Sequence, residues 1–132
     1  GNAPSQPQKD SDARHAAPKI FKETCAIDFS LTAKRIYDFV RGLSPAPGAW
    51  CLLTPRDANA PAQVLKIYKA AKTGESSTGV EVGTLKAENR RLFVATVDEW
   101  LEILELQPAG KKRMAARDYL NGFQHPEHFL LK

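Results

Sequence analysis

The chain has 132 residues, 42% of them hydrophobic and 26% charged, with a formal net charge of +4. That is enough for one packed domain with a tail, and no apolar run approaches the roughly 18 residues of a membrane-spanning helix, so a soluble, cytoplasmic protein is expected. Cys25 and Cys51 lie far apart without metal-ligand spacing, which excludes a disulfide framework and reads as two buried thiols.

Residues 1–24 carry prolines, glutamines and scattered charges without hydrophobic periodicity, the mark of a linker. Because the chain begins with Gly rather than Met, it is expected to be the excised C-terminal part of a longer protein, with its domain over 25–132. Ser30 is a favourable helix N-cap, and Ala33, Ile36, Tyr37 and Val40 follow at i, i+3, i+4 and i+7. This spacing predicts an amphipathic helix over 31–43, with Lys34, Asp38 and Arg41 on its wet face. Pro45 and Pro47 stop the helix, and Gly48 turns the chain into a short apolar strand over 49–53.

A polar loop over 54–61 leads to a strand over 64–72, in which Leu65 and Ile67 share one face while Lys66 and Tyr68 share the other. After a loop at 74–78, strands are expected over 80–85 and 91–97, joined by a turn at Glu88-Asn89-Arg90. The last strand, 100–107, changes parity: Leu101 and Ile103 alternate, but Leu104 and Leu106 belong to the opposite face. A β-bulge near Ile103 or Leu104 would bring all four inward and bend the strand, as closure of a small barrel requires. Five strands with a leading and a trailing helix suggest a mainly β fold with flanking helices, a small closed barrel whose topology the spacing alone leaves open.

Three consecutive cations, Lys111-Lys112-Arg113, lie between a Pro108-Ala109-Gly110 turn and a short helix from Met114 that Gly122 closes. Such a triad is built to meet an anion. Charge is segregated around it, since Asp98, Glu99, Glu102 and Glu105 crowd the last strand whereas 111–117 holds cations alone. The Lys66/Tyr68 face places a further cation beside an aromatic, as nucleic-acid-binding barrels do. Trp50, among apolar neighbours, belongs to the core; Trp100, beside Asp98 and Glu99, is the candidate for exposure. His125-Pro126-Glu127-His128 holds two imidazoles and a carboxylate, but in an extended tail broken by Pro126 it reads as solvated rather than as a metal site. No Gly-rich phosphate loop, G-x-S-x-G elbow or Cys/His array supplies a catalytic centre.

Several further stretches stand in a recognisable order: Ala17-Pro18-Lys19-Ile20, Lys22-Glu23, Ile27-Asp28-Phe29-Ser30, Arg41-Gly42-Leu43-Ser44-Pro45-Ala46-Pro47-Gly48-Ala49 and Lys66-Ile67-Tyr68-Lys69-Ala70. Together with the strand, basic turn and helix that end at Gly122, this order resembles the C-terminal domain of the methionyl-tRNA formyltransferases. Departures are Ala46 in place of a bulky aromatic, Val97-Asp98-Glu99-Trp100 in place of a glycine turn, and Ala115 in place of a Ser cap.

The resemblance implies an OB-like Greek-key barrel, joined by its linker to a missing N-terminal catalytic domain that carries an Asn, a His and an Asp. It implies formyl-tetrahydrofolate as formyl donor for the parent enzyme, no cofactor in this fragment and initiator methionyl-tRNA as partner; nothing in the sequence suggests more than a monomer. The fragment alone is then inactive. Carried onto this sequence, the family's positive face corresponds to Lys19 and Lys22 in the linker, Arg41 at the helix end, Lys66 and Lys69 on the strand, and Lys111, Lys112 and Arg113 in the turn. These are expected to contact the RNA backbone rather than its bases. Two alternatives stay open: the barrel of a related formyltransferase that acts on a sugar nucleotide or on folate, and a purely structural module.

Overall fold

A computed structural model describes residues 23–132 except 45, 46, 58 and 124. Nearly all of the expected linker, with Lys19 and Lys22, therefore lies outside the described residues. The elements in chain order are a 3-10 turn at Glu23–Cys25, α1 (Ala33–Leu43), β1 (Ala49–Pro55), β2 (Gln63–Ser76), β3 (Leu85–Glu88), β4 (Arg91–Ala95) and β5 (Glu99–Pro108). Then come β6 (Met114–Ala115), α2 (Ala116–Tyr119), a second 3-10 turn at Pro126–His128 and β7 (Phe129–Leu131).

The strands form one antiparallel sheet in the order β3-β4-β5-β2-β1-β7, with β6 paired to β5. Strand β2 lies beside β5 instead of beside its successor β3, which gives the Greek-key path. The two ends of the sheet meet at a Thr84–Leu130 bridge, reinforced by the Leu131 N–H donating to the Gly83 carbonyl at 2.9 Å. The result is a small, nearly closed OB-like barrel. Its interior is filled by Leu65, Ile67, Leu92, Leu101, Ile103 and Leu106, and α1 adds Ala33, Ile36 and Val40 from one face. Among the described residues, no helix is long and apolar enough to cross a membrane.

The parity change in the last strand is resolved by a double irregularity between β2 and β5. Pairing runs Ile67–Leu106, Lys69–Glu105, Ala70–Ile103, so Tyr68 is the extra residue on β2 and Leu104 the extra residue on β5. Leu101, Ile103 and Leu106 all reach the core, as expected, but Leu104 is the residue the bulge ejects and remains 37% exposed.

Other expectations need correction. Helix α1 starts at Ala33, because Ser30 is already committed: its N–H and hydroxyl both donate to Asp28 Oδ1, at 3.0 and 2.5 Å. Thr32 caps instead, its Oγ1 accepting the Arg35 N–H at 3.3 Å. Residues 80–84 are turn and bridge rather than strand, since Gly83 at φ +93° cannot continue a strand, and β3 begins at Leu85. Met114 and Ala115 add a short strand ahead of a helix of only four residues, and Ala115 supplies no side-chain cap. Trp100 is buried, not exposed; it lies with Phe93 and Ala95, and Lys86 Nζ stands 4.3 Å from its ring centroid. Strand β7, which closes the barrel, was not foreseen. Trp50, Cys25 and Cys51 are buried as expected, and burial pushes the Cys51 thiol far up from its ordinary value.

At the β4–β5 connection, Thr96 replaces the expected glycine turn with side-chain hydrogen bonds. Its buried hydroxyl donates to the Glu99 carbonyl at 2.6 Å and accepts the Glu99 N–H at 3.2 Å. The Asp98 carbonyl then accepts the Ser77 N–H at 3.2 Å, and Asp98 Oδ1 accepts the Ala33 N–H, the first of α1, at 2.9 Å. That helix hydrogen bond is the main reason the Asp98 carboxyl sits below its ordinary 3.8. Its stabilising contribution is therefore complete above that value and fades as the pH falls through the lowered one. Asp98→Ala is expected to cost about 1 kcal/mol at neutral pH, a capping-sized loss. In denaturant melts the gap to wild type should narrow below pH 4; a gap that widens there would refute the assignment. A methyl group on Gly83 would collide with the Leu131 carbonyl in a backbone region that disfavours side chains. Gly83→Ala should accordingly lower stability by about 2 kcal/mol or more, read in the same melts.

Candidate nucleic-acid interface

The outer face of β2 and β5 and the basic turn that follows β5 bring most of the sequence-predicted cations together. In the register, Lys66 faces Gln107 and Lys69 faces Glu105, while β6 returns along β5 with Ala115 opposite Glu105 and Met114 opposite Leu106. This places Lys66, Lys69 and 111–113 on one side of the barrel. Arg41 stands apart on the last turn of α1, its guanidinium carbon 5.5 Å from the Tyr37 ring centroid.

Tyr68 organises the group from beneath. Its hydroxyl donates to Gln107 Oε1 at 2.8 Å, and Gln107 Nε2 donates on to the Lys111 carbonyl at 2.8 Å. The Arg113 guanidinium lies over the Tyr68 ring, 4.5 Å from its centroid. Only 8% of Tyr68 remains accessible, so it is a brace and not the exposed stacking surface expected beside Lys66. Gly48 explains why one motif depends on another: a Cβ there would stand 3.3 Å from the Tyr68 ring and 3.5 Å from the Lys66 stem, and its φ of +88° favours glycine in any case. Lys66 Nζ also donates to the neighbouring Pro47 carbonyl at 3.2 Å.

The three cations of the turn are not equivalent. Arg113 donates to Glu105 Oε1 through Nε at 2.8 Å and Nη2 at 2.6 Å, and Lys69 Nζ lies 3.5 Å from Glu105 Oε2. The Arg113 hydrogen bond, ahead of the Lys69 charge, holds the Glu105 carboxyl below its ordinary range. Lys111 and Lys112 are exposed, and among the described residues their ammonium groups have no hydrogen-bond or ion-pair partner. Free positive charge therefore resides on the two lysines, while Arg113 is largely spent on fixing the turn.

Beside the turn runs an apolar cleft of about 420 Å³ between Leu53, Pro61, Pro108, Tyr119, Phe123 and Phe129, with Lys111 as its single charged lining residue. Tyr119 and Phe123 stack at 4.8 Å, and burial pushes the Tyr119 hydroxyl up to about 12. On the far side of β6 a second set of cations, Arg90, Arg91 and Arg117, gathers around a smaller concavity. Sequence reading missed it, because Arg90 registered only as part of a hairpin turn, Arg91 as the start of a strand, and Arg117 as the last of the cations over 111–117.

The His125, Glu127 and His128 segment is not extended. Pro126 opens a 3-10 turn that stacks the two imidazoles at 5.0 Å and keeps one ligand atom from each of the three residues within 4.8 Å of the others, all exposed.

Removing the Tyr68 hydroxyl would break the link from β2 to the basic turn while sparing every charge. Tyr68→Phe is expected to cost about 1 kcal/mol and to speed amide exchange at residues 109–113 ahead of the rest of the barrel. Uniform exchange across the domain would show that the brace has no local effect.

Residues 19–124 match the family model described as formyl transferase, C-terminal domain. Similar relatives include the methionyl-tRNA formyltransferase of Phocaeicola vulgatus, 47% identical over 109 residues that cover 82% of this chain and 33% of the relative. Those of Parabacteroides distasonis and Bacteroides fragilis are 46% and 42% identical over 117 residues, covering 88% of this chain and 35% of each relative. The chain thus spans about a third of the length of the curated relatives it matches. A family match over this span, on a barrel whose glycine, tyrosine and basic turn are mechanically linked, places the chain in the formyl transferase C-terminal domain family.

Proposed function

We propose that this domain is the tRNA-binding part of a cytoplasmic, monomeric methionyl-tRNA formyltransferase. The whole enzyme moves a formyl group from formyl-tetrahydrofolate to the α-amino group of initiator methionyl-tRNA, and its reaction centre lies in an N-terminal catalytic domain. The observation that carries this reading is the braced turn: two unpartnered lysines held out on a fixed backbone, beside Lys66 and Lys69 on the adjoining strand. Positions Lys19, Lys22 and Arg41 extend the same role along the linker and helix.

The chain's own residues explain what this surface does and does not do. Ammonium and guanidinium groups on a convex barrel face meet phosphate oxygens without reading base edges, so recognition rests on backbone shape and charge. The barrel interior is packed with side chains, and the apolar cleft lacks the convergent polar groups a pterin ring needs. The formyl donor is accordingly assigned to the catalytic domain.

The test is binding of the 132-residue chain to initiator methionine tRNA across a salt series. Wild type is expected to bind with Kd of about 10⁻⁴ to 10⁻⁶ M near physiological salt, with a log-log slope of roughly 3 to 5. Lys111→Ala with Lys112→Ala should flatten the slope by about 2, one for each lost phosphate contact, whereas Arg113→Ala should act mainly on stability. Equal, salt-independent binding by wild type and variants would overturn the reading in favour of a structural barrel or a formyltransferase with another substrate.

A further inference from the structure

We infer that Arg90, Arg91 and Arg117 form a second phosphate-binding site, on the opposite side of β6 from the lysine turn, which holds the RNA backbone. The inference rests on the RNA-binding reading and extends it to residues outside the family motifs. The site is a concavity of about 160 Å³ whose floor is Ile103, Leu104, Ala115 and Ala116 and whose charged lining is three arginines and one carboxylate, Glu102.

Two of the arginines are held in place. Arg91 donates to both Glu102 oxygens, Nε at 3.0 Å and Nη2 at 2.8 Å, and Arg90 Nη2 donates to Asn121 Oδ1 at 2.9 Å. Arg117 is exposed and, among the described residues, has no partner. Glu102 balances one guanidinium and the charge of Glu88 also reaches Arg91, but neither Glu88 nor Asp118 lines the hollow, so its lining keeps an excess of positive charge that an anion would relieve.

Arg90 gives a second indication. It occupies the two-residue turn of the β3–β4 hairpin with φ +63°, next to Asn89 at φ +51°. Such a turn favours Asn, Asp or Gly at both positions, and a long side chain in the left-handed region costs on the order of 1 kcal/mol. The cost is carried at the one hairpin tip that faces Arg117. Guanidinium groups fit phosphate through a planar fork, which makes three of them around an open hollow a seat for a backbone phosphate.

Continuity with the lysine turn identifies the ligand as a polyanion. Lys112 and Arg117 are five residues apart, so at most about 16–18 Å of chain separates them, a few nucleotides of RNA backbone. Strand β6 runs between them on the flank of β5. A single strand of phosphates lying along β6 reaches both sets.

The experiment is the tRNA salt series with the whole chain carrying Arg90→Asn and Arg117→Gln, the first chosen because Asn tolerates the left-handed turn. Arg90→Lys with Arg117→Lys serves as a charge-retaining control. The neutral pair is expected to reduce the log-log slope by about 1 to 2 with an unchanged melting temperature, and the lysine pair to restore it. Should the neutral pair melt early, Arg117→Gln alone, whose side chain has no partner to lose, should still reduce the slope by about 1. If the lysine-turn variant loses slope and the arginine variants match wild type, the second site is refuted while RNA binding stands. If wild type shows no salt-dependent binding, both fall together.

Discussion

Closure of the barrel at Gly83-Thr84 against Leu130-Leu131 is the constraint on which the rest of the structure depends. Without it, β3 and β7 would be open edges, and the interior hydrophobic set would face water at both. The closing residues come from a turn on one side and from β7 on the other, elements far apart in sequence. Once the ring is shut, β2 and β5 must bend sharply at its centre. The paired irregularity at Tyr68 and Leu104 absorbs that bend. It also turns Tyr68 out of the barrel interior to lie beneath the basic turn, so the feature that closes the fold also braces the candidate interface.

The acids of β5 perform the second organising task. A strand carrying Glu102 and Glu105 among basic neighbours looks at first like a counterweight to nucleic-acid binding. Instead each carboxylate takes one arginine, Arg91 or Arg113, and fixes its position, with Lys69 sharing Glu105. Exposed pairs of this kind add little stability, at most about 1 kcal/mol. Their effect is positional, because they hold guanidinium groups flat against the sheet while Lys111, Lys112 and Arg117 project freely. The surface is thereby divided into cations that shape it and cations with charge to spare.

Much of this could be read from the sequence because it is written in local periodicity. The core face of α1, the alternation of Leu65 and Ile67, and the parity break at Leu104 are all short-range patterns that the barrel preserves. Long-range partners were not legible. Asp98 looked like a defect in a glycine turn, yet its carboxylate serves the first amide of a helix 65 residues away. Tyr68 looked like an exposed ring, since nothing nearby in sequence announces that Arg113 will cover it. Strand β7 is three residues long and pairs only with elements remote in sequence, and the Arg90–Arg117 grouping exists only because a hairpin and a short helix meet along the edge of β5 that β2 leaves open. The histidines near the C-terminus differ for the opposite reason: Pro126 breaks a helical pattern in the sequence, yet in the fold it opens the turn that gathers them.

In the proposed role, the division of cations sets a limit on what the domain contributes. A handful of backbone contacts without base readout gives weak, salt-sensitive affinity, and no rearrangement of these side chains would turn it into discrimination between tRNAs. A weak site of this kind is useful when it is tethered. Joined by a linker to a catalytic domain, it raises the local concentration of the acceptor arm toward the millimolar range, and the two weak interactions multiply. Rigidity then matters more than strength, since a braced turn presents its lysines at a fixed distance from the linker and the tether's benefit depends on that span. On this argument, the hydrogen-bond chain from Tyr68 through Gln107 to Lys111 is the functional core of the interface, although none of its members needs to touch RNA.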